Sequence, residues 1–168
     1  MDENKAAASA LSGSLSGPRL PSWEELPDLE LYMDQVLSLA ERWLGAEGKG
    51  LTASMVNNYV KLGVVPAPVK KRYSRAHLAT LLMVCLLKPV LPIASVQALL
   101  SAALAEASLE TVYARFRAEH AHACARTLET ARAFSDPGAD GVLRAALLAG
   151  AEQDMALRLL AELRGDGR

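Results

Sequence analysis

Asn57 and Asn58 stand side by side, and a Lys70-Lys71-Arg72 run follows shortly after them. An asparagine amide offers a donor and an acceptor together, which matches the N6 and N7 edge of adenine; lysine and aspartate cannot make that pair. A run of cations does different work, holding phosphate oxygens without reading sequence. The charge distribution fits both. Residues 51–105 carry six Lys and Arg with no Asp or Glu, whereas residues 1–50 carry four cations against nine acids. The whole chain nets only −1, which conceals this partition. An acid-free stretch between acidic ones points to a local anionic partner; the plain alternative is a solvated run of charge.

Other constellations carry less chemistry. In "EHAHACAR", His120, His122 and Cys124 suggest a metal site, but on a helix only His120 and Cys124 share a face. One chain therefore supplies at most two ligands there, and no metal is expected unless His77, Cys85 or another chain completes the set. Cys85 in "LLMVCLL" reads as a small buried hydrophobe. The Gly-rich phosphate loop, Gly-x-Ser-x-Gly and His-Glu-x-x-His are all missing, and the basic stretch has no carboxylate to act as a base. The sequence thus reads as a non-enzyme without a cofactor.

The elements that would position these residues are helical. The chain has 168 residues, 51% of them apolar and only 5% aromatic, so its core must be built from aliphatic helix faces. Residues 1–22 read as a flexible tail. A first helix is expected from Asp28, as N-cap, to Leu44. Thr52 caps a second, running to Leu62 and ended by Gly63, with Met55, Val56, Tyr59 and Val60 inward and Ser54, Asn57, Asn58 and Lys61 outward. Proline spacing makes residues 64–73 two very short extended segments around a turn. Ser74 caps a buried helix to Lys88, and Pro92 opens another. A long helix over 108–134 and a last region over 142–163, interrupted near Gly150, complete the chain. The longest apolar run, Leu78 to Leu87, is about half the ~20 residues that a membrane span needs. With two cysteines and no apolar leader, a cytoplasmic location is expected.

A helix with a polar outer face, a glycine turn and a basic wing has the layout of a winged helix-turn-helix DNA reader. "LTASMVNNYVKLGVVP" followed by "RYS" resembles the DNA-binding domain of MerR-like regulators. There a Ser or Thr opens the recognition helix, a Tyr precedes a Gly by four residues, and an Arg-Tyr pair closes the wing. Those places fall here on Thr52, Tyr59, Gly63, Arg72 and Tyr73. The chain departs from that pattern in having Asn57 where an Arg usually stands, a short wing, and a longer, more acidic first helix. A closer resemblance, over about Trp23 to Phe116, is to a bacterial family known as domain of unknown function eighteen-thirty-six. It rests on "LYMDQVL", "MVNNYVK" and "KKRYSR".

Together these readings lead to an expected all-α fold. A winged helix-turn-helix over residues 23–105 would be followed by a helical dimerisation or sensing region over 106–168. The expected function is a sequence-specific transcriptional regulator that binds double-stranded DNA as a homodimer, its C-terminal helices making the dimer or receiving a signal, with an unidentified small-molecule effector as the option for the latter. Its expected DNA contacts are Thr52, Ser54, Asn57, Asn58, Tyr59, Lys61, Lys70, Lys71, Arg72, Tyr73 and Arg75. Phe116, His120 and Phe134 would line a dimer seam or ligand pocket. The rivals are an adaptor whose basic face binds an acidic protein, and a ligand-sensing module built from the C-terminal helices.

Overall fold

The computed structural model describes residues 17–133 and 138–165. They form six α-helices and no sheet: α1 Met33–Leu44, α2 Ala53–Lys61, α3 Arg75–Leu87, α4 Ile93–Glu106, α5 Leu109–Ala133 and α6 Ala139–Leu163. A 3-10 turn, Gly45–Gly48, links α1 to the loop before α2.

Helix α3 is the centre of the molecule. Every residue from His77 to Val84 is buried, so the helix has no solvent face. A helix that is apolar all round must be enclosed on all sides. The covering comes from α1, the 3-10 turn and α5, while α4 packs between α5 and α6. Val112 and Tyr113 of α5 join the same core as Leu78, Leu81 and Leu82 of α3. The core thus continues across residue 105, where a domain boundary was expected.

Three expectations about element bounds are corrected. Helix α1 begins at Met33 with Tyr32 as N-cap, five positions after Asp28; the side chain of Gln35 accepts from the Tyr32 N–H at 2.8 Å. The reason is that Leu31 is extended, exchanging backbone hydrogen bonds with Tyr73 at 2.8 and 2.9 Å. The expected two-stranded wing is reduced to isolated bridges, Val69 with Arg72 and Leu31 with Tyr73. Helix α6 is one piece through Gly150, a residue costing about 1 kcal/mol there relative to Ala. It is anchored by Gln153, which donates to the Val90 carbonyl at 2.7 Å, and by the buried Leu160.

Residues 17–22, assigned from the sequence to a flexible tail, are bound to the body; residues 1–16 lie outside those described. Leu20 and Pro21 are buried. The Tyr113 hydroxyl donates to the Pro21 carbonyl at 3.1 Å, Arg117 Nε donates to the Leu20 carbonyl at 3.3 Å, and Trp23 packs on the Tyr113 ring. Burial pushes the Tyr113 phenol far above its ordinary range, so this hydroxyl keeps its proton as a donor. Tyr113→Phe removes that donor and leaves a buried carbonyl unpartnered. Urea denaturation should register a loss of about 1–3 kcal/mol at unchanged m value; a variant as stable as the parent would mean that the segment contributes nothing to the fold.

Candidate nucleic-acid interface

Helix α2 starts where the sequence says it should. The Thr52 side chain accepts from the Met55 N–H at 3.2 Å, so its hydroxyl caps the helix and is committed to that role. Val56 and Tyr59 are buried; Ser54, Asn57, Asn58 and Lys61 are exposed. The helix ends at Gly63, whose φ of +71° is the left-handed conformation that glycine tolerates, and Gln97 donates to the Leu62 carbonyl at 2.9 Å behind it. The chain then turns at once into the wing, with the N–H groups of Val64 and Val65 both bonded to the Tyr59 carbonyl.

The wing closes on Lys70 and Lys71. Val69 and Arg72 exchange backbone hydrogen bonds at 2.9 and 3.2 Å across these two residues, which have φ of +49° and +64°. Two consecutive positive φ angles in a two-residue loop are the pattern of a type I′ turn, for which Asn-Gly is the favoured pair. Lysine has a Cβ at both places and pays roughly 1–2 kcal/mol at each for being left-handed. The side chains are thereby held at the tip, exposed.

His77 pins this turn to α3. Its Nδ1 accepts from the Ser74 N–H at 3.0 Å, which requires the proton on Nε2, and Nε2–H donates to the Ala67 carbonyl at 3.2 Å. The ring also meets Tyr73 edge to face. Sequence reasoning missed this role, although a polar residue three positions after a capping serine is the signal that finds it.

The expected contact residues divide in two. Asn57, Asn58, Ser54, Lys61, Lys70 and Lys71 are exposed, and none of these lysines joins an ion pair among the described residues. Tyr59, read both as inward and as a contact, is buried at 2% exposure, which bears out the inward reading; Tyr73 is corrected to a core residue at 4%, and burial raises both phenols above their ordinary range. Arg72 lies 3.5 Å above the Tyr32 ring, a cation–π contact. Arg75 is directed inward, donating to the Leu26 carbonyl at 3.1 Å, 3.8 Å from Asp28 and facing Trp23. Arg72 therefore braces the wing against the residue before α1, while Arg75 ties the start of α3 to residues 23–28.

Phe116 packs against the core and stacks on His120, while Phe134 lies outside the described residues. Cys124 Sγ is 3.7 Å from His120 Nε2, and no group of three metal-ligating side chains exists among the described residues. Burial raises the Cys85 thiol to about 11, leaving it protonated and unreactive.

The described residues form an all-helical domain that exposes amide and lysine side chains on α2 and the turn that follows it. Residues 21–116 match the family described as domain of unknown function (DUF1836), and the chain belongs to that family. The match takes in everything from Pro21 to Phe116, and so includes α2, the wing and Tyr113. No curated protein and no solved structure matches the chain. Among the described residues, no helix is long and apolar enough to cross a membrane.

The strain at the wing tip can be measured. Replacing the pair by its favoured counterpart, Lys70→Asn with Lys71→Gly, relieves two left-handed lysines at the cost of a freer unfolded chain. The net gain expected in denaturation is about 1 kcal/mol. A destabilised double variant would show that the lysine side chains hold the turn instead of straining it.

Proposed function

We propose that the protein is a DNA-binding transcriptional regulator of winged helix-turn-helix, MerR-like type. Helix α2 enters the major groove and presents Asn57 and Asn58 to base edges. Lys61, Lys70 and Lys71 bind phosphates on either side. The observation that carries this reading is the exposure of these five side chains on a stretch with no carboxylate, two of them at a turn where Lys70 and Lys71 have left-handed φ. Arg72, Arg75, Tyr59 and Tyr73 serve it indirectly by fixing the wing and the start of α3.

The regulator acts as a homodimer, since two-fold proteins match two-fold operators. The stripe over residues 109–134 is the expected seam, and its first half is used within the chain. Exposed Leu148, Met155 and Leu159 on α6 support a seam further along.

The two groups of side chains should fail differently. Asn57→Ala or Asn58→Ala should cost about 1–3 kcal/mol on a selected duplex and relax preference at one base pair, with the salt slope unchanged. Lys71→Ala should weaken selected and random duplexes alike and reduce the slope of log affinity against log salt by about one. Titrations of each variant against both duplexes at several salt concentrations decide it. If the lysine variant keeps the parental slope and the asparagine variants bind like the parent, the face serves an acidic protein partner instead.

A further inference from the structure

The segment from Gly17 to Leu26 is a strap laid along α5, and a groove runs beneath its first residues. The groove has a volume of about 490 Å³ and is formed by residues 17–20 on one side and 117–128 on the other. That lies within the ~300–1,000 Å³ typical of small-molecule sites. Leu20, Ala121, Ala125 and Leu128 give it an apolar floor, Arg19 and Arg117 bring two guanidinium groups, and no Asp or Glu lines it.

The polar groups suit one kind of ligand. Arg117 spends its Nε–H on the Leu20 carbonyl and has other donors for an oxygen pair. Arg19 holds only a solvent-exposed ion pair with Glu25 at 3.3 Å, which is worth little and is easily exchanged. Planar guanidinium groups favour carboxylates through paired hydrogen bonds. His120 adds no charge near neutrality, because burial holds its pKa below the ordinary value against the opposing pull of Glu47, which is not among the lining residues.

We propose that this groove binds an amphipathic carboxylate, with its apolar body on Leu20, Ala125 and Leu128 and its carboxylate at Arg117 and Arg19. Such a ligand lies against the strap. The same strap ends at Leu26, whose carbonyl holds Arg75 at the start of α3, and leads on to Leu31, paired with Tyr73 at the base of the wing. An occupied groove thus acts on the wing, a consequence that rests on the DNA reading above.

Cys124 reports occupancy directly. It lines the groove so closely that a Cβ built at Gly17 would fall on its sulfur. The probe is decanoate, kept below its micelle-forming concentration, with decanol and decyltrimethylammonium as neutral and cationic counterparts of equal chain length. Alkylation of Cys124 by iodoacetamide is followed by peptide mass spectrometry on the full chain. Decanoate should slow it about tenfold when its free concentration is about ten times its dissociation constant, while the counterparts have little effect. Arg117→Met should abolish the protection. Ala125→Phe, at an exposed helical position that fills the floor and spares both arginines, should abolish it too while melting like the parent. Equal protection by decanol, or none by decanoate, overturns the proposal. Duplex affinity with and without decanoate is a separate arm: a chain that binds no duplex defeats the DNA reading, while the alkylation result still judges the groove.

Discussion

Helix α3 must be enclosed on every side, and the rest of the molecule follows from that. Eight consecutive residues, His77 to Val84, have no solvent face, so α1, the 3-10 turn and α5 are committed to covering them. Large-to-small changes within such a helix typically cost about 2–5 kcal/mol, which makes it the rigid member against which everything else is registered. Its N-terminus carries the consequence outward. Ser74, Arg75 and His77 sit in the first turn of α3, and between them they fix the wing through Ala67 and the strap through Leu26. The position of the basic turn is thus inherited from the core, with no sheet required to set it.

The wing can therefore be very small. Reciprocal hydrogen bonds between Val69 and Arg72 would not hold an isolated hairpin in water, where two strands are marginal at best. Here His77, the Leu31–Tyr73 bridge and the Arg72–Tyr32 stack support it from three directions. That support also explains how two lysines can occupy left-handed positions. Strain of this kind persists only where the surroundings over-determine the conformation, and it accumulates at sites that bind something.

What could be read from the sequence was what is local. Thr52 as a cap, Val56 and Tyr59 as the inward side of α2, Gly63 as a terminator and Ser74 as the start of α3 depend on residues within a few positions of one another, and the structure has all four, although Met55, also expected inward, is exposed. The exposed face of α2 was legible for the same reason. The strap was not, because Tyr113 and Arg117 reach residues more than ninety positions earlier, and no periodicity announces such a contact. The start of α1 was misjudged because Leu31 answers to Tyr73, a partner distant in sequence that outweighs the capping preference of Asp28. Arg72 and Arg75 looked like phosphate ligands because their charge was visible and their aromatic and carbonyl partners were not.

If the protein is a DNA reader, the duplex lies on α2 and the wing tip. Backbone amide shifts of the isotope-labelled full chain, followed by nuclear magnetic resonance as a duplex is added, test it most directly. The expected result is that the largest changes fall at Asn57, Asn58, Lys61, Lys70 and Lys71, with α6 unmoved at low duplex concentration. Changes confined to α5 and α6, or no saturable change at these five residues, would contradict it.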